Sequence, residues 1–238
     1  MTTGSPLAVV FDLDGLLVDS EPVQIAAWEA FLAELGHSLD RALLAEMFGL
    51  RIWDSARLVV ERLVLDLTVD AVVQRRDELF FASLPGRLIA MPGAIEIVAE
   101  LRGRGVPLAL ATSGHRRYVD VALDEIGLAG AFDVEVTGDA VARGKPAPDI
   151  YLSAAKRLGV EPGACVALED APLGVASAKS AGMRCLAVPN SMTAGLPGLE
   201  AADAVLESLS DVVPWLVSVG SLAEVASRDS SQTSHSDG

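Results

Sequence analysis

Two aspartates separated by a single residue, Asp12 and Asp14, follow the apolar run Leu7 to Phe11. Residues two apart on extended backbone share a face, so both carboxylates can converge on one space while Leu13 turns away. Such a pair has two chemical uses, oxygen ligation of a hard cation such as Mg²⁺ and a division of labour between a nucleophile and a general acid/base. An Asx-type turn running into Gly15 would use the same residues. Comparable groups follow apolar runs further along. Thr112 and Ser113, in Ala-Thr-Ser-Gly, offer hydroxyls and successive N–H groups that could cradle an anion at a helix start or cap the helix. Lys145, in Gly-Lys-Pro-Ala-Pro-Asp, is a loop cation between a glycine and two stiffening prolines. Glu169 and Asp170 either cap the helix that Pro172 opens or complete an oxygen-rich cation site.

These residues need strands to carry them. Short aliphatic runs at Leu7 to Phe11, Pro107 to Ala111, Val134 to Thr137, Cys165 to Leu168 and Cys185 to Val188 predict buried strands. Helical patterns between the later ones, clearest at Tyr118 to Ile126, Asp149 to Leu158 and Leu173 to Ala181, predict an α/β fold with a doubly wound, Rossmann-like parallel sheet. Ligands of such sheets bind beyond the carboxyl ends of the strands, where every group named above falls.

The first and second strands are separated by far more chain than a βα connection needs. Helical periodicity fills the gap, over Val23 to Leu35, Arg41 to Met47, Asp54 to Val64 and Val69 to Leu84, with Thr68 as a candidate N-cap. The expected organisation is an α/β core of residues 1–16 and 88–227, an all-helical insertion at 17–87, and a disordered serine-rich tail at 228–238. Proline-bearing junctions at Leu16 to Pro22 and Leu84 to Pro92 would hinge the insertion as a lid.

Composition narrows the partners. With 238 residues and 51% hydrophobic content the chain can fill a sizeable core, and its formal net charge of −15 opposes a general grip on nucleic acid or an anionic membrane. Cys165 and Cys185 are too few for a disulfide framework. With no basic export segment ahead of the first apolar run, a cytoplasmic protein is expected, acting as a monomer or weak dimer.

The ordered set Asp-Leu-Asp-Gly-Leu-Leu-Val-Asp-Ser-Glu, Ala-Thr-Ser-Gly, Gly-Lys-Pro-Ala-Pro-Asp and Ala-Leu-Glu-Asp-Ala-Pro-Leu-Gly resembles the four motifs of the haloacid dehalogenase-like hydrolase superfamily. The likeness runs to about Pro189, and the helical insertion resembles the cap of the β-phosphoglucomutase-like subgroup, which includes sugar-phosphate phosphatases. The resemblance implies Asp12 as nucleophile and Asp14 as acid/base, with Mg²⁺ held by Asp12, the Asp14 main-chain oxygen and Asp170, and Glu169 orienting ligands. It further implies phosphate binding by Thr112, Ser113 and Lys145. An anionic nucleophile approaches an anionic ester only where cations and N–H dipoles offset the repulsion.

Departures from the subgroup are informative. Gln24 stands where its mutases carry a histidine, and Ile52 where they carry an arginine. The stretch Gly49-Leu50-Arg51-Ile52-Trp53-Asp54 is similar instead to bacterial hexose- and hexitol-phosphate phosphatases. The resemblance therefore implies hydrolysis of a small sugar or polyol phosphate, with a phosphosugar mutase or a non-catalytic phosphate-ester sensor as alternatives. Glu21, Arg51, Trp53, His115 and Arg116 are the candidates for substrate selection, each with a purely structural alternative.

Overall fold

The protein is described here by a computed structural model covering residues 7–223, so the tail at 228–238 lies outside the described residues. Its chain order is β1 (Ala8–Phe11), β2 (Val18–Asp19), α1 (Glu21–Glu34), α2 (Arg41–Met47), α3 (Ile52–Leu63), α4 (Val69–Ser83), β3 (Ile89–Ala90), α5 (Ala94–Gly103), β4 (Leu108–Ala111) and α6 (Arg116–Glu125). There follow β5 (Val134–Val136), α7 (Asp149–Leu158), β6 (Cys165–Glu169), α8 (Pro172–Ser180), β7 (Arg184–Ala187), β8 (Ala204–Val205) and α9 (Val212–Ser218).

Six strands form one parallel sheet in the order β5-β4-β1-β6-β7-β8. Alternate residues of each strand enter opposite cores. Val9, Phe11, Leu108, Leu110 and Leu168 join a cluster with α5, α6 and α9, whereas Ala8, Val10, Ala109, Ala111 and Ala167 join one with α7 and α8. The runs of β1, β4, β6 and β7 lack polar alternation because helices cover both faces, whereas the edge strand β5 carries Glu135 between two valines. Since β1 pairs with β4 on one side and β6 on the other, the connections diverge at its carboxyl end. That divergence opens the crevice where doubly wound sheets bind ligands. Register then levels the strand ends. Phe11 lies opposite both Leu110 and Leu168, so Asp12, the Ala111–Thr112 step and Glu169 emerge side by side.

Helices α1 to α4 build a separate cluster around Trp28, Phe31, Leu32, Leu43, Val59 and Val72 above this edge. Val23, Ala27, Phe80 and Leu84, at their base, belong to the main core. The two connections between the helices and the sheet are themselves paired, as Val18–Asp19 runs antiparallel to Ile89–Ala90. Thr68 caps α4 as expected, its hydroxyl accepting the Ala71 N–H at 3.2 Å.

Several boundaries differ from the sequence reading. Helix α1 begins at Glu21 rather than Val23, because Pro22 fits the first turn, where a missing N–H removes no hydrogen bond. Likewise α3 begins at Ile52 rather than Asp54, with Arg51 at its N-cap position. The β2–β3 pair, β8, α5 and α9 add to the elements that the sequence pattern predicts. Two-residue strands leave no periodic signal, and Val212 to Ser218 has no polar face to reveal a helix. Among the described residues no helix is long and apolar enough to cross a membrane. Cys165 and Cys185 are buried and unpaired.

Candidate active site

The ends of β1 and β6, together with the loop after β5, bring four ionisable side chains into contact. Lys145 Nζ donates to Asp12 Oδ1 at 2.8 Å and to Glu169 Oε1 at 2.6 Å, and all three groups are buried. Burial disfavours the lysine charge, but the flanking carboxylates of Asp12 and Glu169 outweigh it and hold the amine above its ordinary value. Glu169 also accepts the Tyr151 hydroxyl. Burial pushes the Glu169 carboxyl upward against the opposing pull of Lys145.

Asp170 completes the group from the next position. Its Oδ2 accepts Asn190 Nδ2 at 3.0 Å, and the same amide donates to Gly15 O at 3.1 Å and Glu21 Oε1 at 3.2 Å. Burial first, then the charges of Asp12 and Glu169, raise Asp170 well above the carboxylate range. Asp14 accepts hydrogen bonds at one oxygen, Oδ1, from Ser20 Oγ at 2.5 Å and from the Tyr118 hydroxyl. Burial, reinforced by Asp12, raises its affinity for a proton.

Two glycines make this density of carboxylates possible. A Cβ on Gly174 would lie 2.0 Å from the Glu169 carboxyl group. One on Gly15, whose φ is +76°, would lie 2.3 Å from Asp170 Oδ2. No larger residue fits either place.

Residues 6–182 match the haloacid dehalogenase-like hydrolase family. The chain belongs to this family. Hexitol phosphatase A of Escherichia coli is 37% identical over 206 residues, 85% of this chain and 91% of that protein. The fructose-1-phosphate phosphatase YqaB of the same organism is 33% identical over 175 residues, 74% of this chain and 92% of that one. Among solved structures, CbbY from Rhodobacter sphaeroides in complex with phosphate superimposes with a TM-score of 0.77 at 29% identity, covering 86% of this chain and 95% of that one.

In this haloacid dehalogenase-like hydrolase the donor set suits a hard divalent cation. Asp12, Glu169 and Asp170 each place a carboxylate oxygen within 4.8 Å of the others, and Glu169 Oε2 is buried with no hydrogen-bond partner. One ammonium stands among these three buried carboxyl groups, so a divalent cation would favour their ionised forms, which burial and mutual repulsion now oppose. Oxygen-only donors of this kind are Mg²⁺ or Ca²⁺ ligands rather than ligands for softer metals.

A cavity of about 140 Å³ opens beside the cluster, between the sheet edge and the helical insertion. Asp12, Asp14, Asp170, Glu21, Ser113 and His115 all line it. Thr112 is fully buried behind it, its hydroxyl accepting the Gly114 N–H at 3.0 Å. Ser113 Oγ is already engaged, donating to Gly49 O of the insertion at 2.7 Å. His115 caps α6, Nδ1 accepting the Tyr118 N–H at 3.3 Å, and its Nε2 lies 3.1 Å from Asp77 Oδ2 on α4.

Three sequence candidates stand outside the cavity wall. Arg116 pairs with Asp120 at 3.1 Å and Glu135 at 2.5 Å. Trp53 packs with the insertion's cluster and meets His115 edge-on at 6.3 Å. Arg51 is bound to Asp54 and to backbone carbonyls of the loop before Lys145.

Other residues of the site carry no clear signal in the sequence. Asn190 follows β7, so the rule that ligands gather past strand ends would have found it if applied to the fifth run. Tyr118 and Tyr151 sit in the first turns of helices and carry no spacing signal. Arg76 is also in the wall. Its guanidinium is buried over the rings of Phe80 at 4.5 Å and Trp28 at 5.5 Å, donates to Gln24, and has an Nε without a partner. Burial lowers it to about 10. In sequence it is one arginine of an Arg-Arg-Asp-Glu run on a helix, indistinguishable from surface.

Proposed function

We propose that this hydrolase is a Mg²⁺-dependent phosphatase of small sugar or polyol phosphates, working through an aspartyl-phosphate on Asp12. The observation that carries the reading is the Asp12–Lys145–Glu169 contact, with Asp170 beside it and with Asp12 and Asp170 facing the open cavity. Asp12 attacks phosphorus, and the bond from phosphorus to the ester oxygen breaks. Asp14, whose environment favours its protonated form, gives its proton to the departing alkoxide. The same carboxylate then takes a proton from the water that attacks phosphorus, which frees Asp12 and releases inorganic phosphate.

Lys145, the Thr112 hydroxyl and the Ser113 backbone N–H hold the phosphoryl oxygens. The cation would be held by Asp12, Asp170 and the Asp14 main-chain oxygen, with Glu169 orienting its ligands. When bound, Mg²⁺ neutralises charge on the transferring phosphoryl group. The insertion acts as a cap that admits the ester and then excludes bulk water. Glu21 and His115, in the cavity wall, meet the leaving group.

The names of the relatives support hydrolysis over intramolecular transfer, and Gln24, which accepts from Arg76, supplies no histidine at the mutase position. The test is phosphate release from a panel of phosphorylated sugars, polyols and other metabolites, with and without Mg²⁺. Release from polyol or sugar phosphates that depends on Mg²⁺ supports the reading. Conversion of a hexose 1-phosphate into its 6-phosphate without free phosphate overturns it in favour of a mutase.

A further inference from the structure

We propose that Arg51 and Asp54 position Lys145, joining the seating of the helical insertion to the placement of the cation that neutralises the reacting phosphate. Arg51 stands at the N-cap position of α3, on the insertion. Asp54 holds its fork from two sides, at 2.7 Å to Nε and 3.3 Å to Nη2. The remaining nitrogen, Nη1, reaches across to the sheet and meets three main-chain oxygens, of Val141 at 3.1 Å, Ala142 at 3.3 Å and Gly138 at 3.5 Å. Convergent carbonyls form a pocket for a cation, and a planar guanidinium with several fixed N–H directions fills it while keeping its carboxylate partner.

The loop so gripped is the one that carries Lys145. Gly144, next to the lysine, lies directly against the pair: a Cβ there would be 2.6 Å from Arg51 Nε and 2.9 Å from Asp54 Oδ2. Gly144 has no positive φ, so its smallness answers to that contact and not to backbone conformation. Arg51 also borders the phosphate-binding turn, because Gly138 N donates to Gly114 O at 2.8 Å. With its donors taken by protein, Arg51 has no free fork to offer a substrate. Its contribution is to hold the Lys145 loop in register with Asp12 whenever the insertion is seated.

This inference rests on the phosphatase reading only for its kinetic test. The chain has three lysines, Lys145, Lys156 and Lys179, and only Lys145 is buried. With ¹⁵N-lysine labelling, its ammonium gives a resonance protected from water exchange that requires no turnover to observe. In Arg51→Ala that resonance weakens or disappears, and kcat falls by about 10–100-fold, the scale on which residues supporting a reactive group act. The loss is the same for aryl, glycerol and hexitol phosphates, with KM moving less than about threefold. Gly144→Ala, which pushes into the same pair, reproduces both effects, yet adds little in the Arg51→Ala background, where the space has been vacated. An unchanged Lys145 resonance in both variants overturns the proposal, as does a loss graded by the leaving group, which would make Arg51 a substrate contact. A wild-type protein that releases phosphate from no ester defeats the phosphatase reading instead, and leaves the resonance test to decide the Arg51 link.

Discussion

The two walls of the cavity are built on opposite principles. Its floor belongs to the sheet edge, where Asp12 and Asp170 face the cavity, Asp12 joined through the buried Lys145 to Glu169 and Asp170 held by Asn190. Its roof belongs to the insertion, where Trp28, Met47, Leu50, Ile52 and Phe80 are apolar and Arg76 with Gln24 supplies the polar contacts. Strand register fixes the floor, because parallel pairing admits no slip without turning every core residue to the other face. Helix packing fixes the roof, and packed helices tolerate exchange of one apolar side chain for another of similar volume. In the proposed function, reaction chemistry rests on the part of the fold held by strand register, and selection of the leaving group on the part held by helix packing.

That division predicts a graded set of responses. Asp12→Asn should lower kcat by at least about ten-thousand-fold on every ester while leaving the circular dichroism spectrum and melting temperature near wild type. A residual rate within tenfold of wild type would remove Asp12 from the attacking role and the floor from its privileged position. Asp170→Ala should raise the Mg²⁺ concentration for half-maximal rate by about 10–100-fold, measured as activity against free metal. An unaltered metal titration would place the cation elsewhere.

The roof should respond differently. Arg76→Met keeps a long side chain between Trp28 and Phe80 but removes the polar head, so kcat/KM for polyol phosphates should fall about tenfold while that for an aryl phosphate changes less than about threefold. Equal losses on both would erase the contrast between the walls. The smallest effect is expected outside the cavity. Val64, 87% exposed, ends α3 with φ at +51°, a conformation that crowds a β-branched residue. Val64→Gly should therefore raise stability by about 1 kcal/mol in a urea titration, with kinetic constants unchanged. A lower unfolding midpoint would show that the left-handed turn is not strained.

Much of this molecule is legible in its amino-acid order, for definable reasons. The parallel sheet follows from four runs that are apolar at every position, as strands covered on both faces must be, and from the alternating Val134 to Thr137, which forms the edge strand β5. Asp12, Glu169 and Asp170 are legible because each lies at the end of such a run, and a strand end in a doubly wound sheet is where side chains meet a ligand, whereas Lys145 lies further along the loop after β5. Local chemistry likewise gives the Thr68 cap and the exact span of α7. These are short-range or pattern-borne facts.

What only the tertiary structure decides are the contacts between segments distant in the chain. Nothing near Asn190 announces that it reaches Asp170 and Glu21, and nothing in Val69 to Ser83 distinguishes the buried Arg76 from the exposed Arg75. Arg51 is the sharpest instance. Its neighbours in sequence suggest a substrate contact, whereas its neighbours in space are Asp54, three carbonyls and Gly144. A side chain's type and local periodicity fix what it can bind, but its actual partner depends on which polar atoms folding brings within about 3.5 Å of it, and hydrogen bonds fade quickly beyond that.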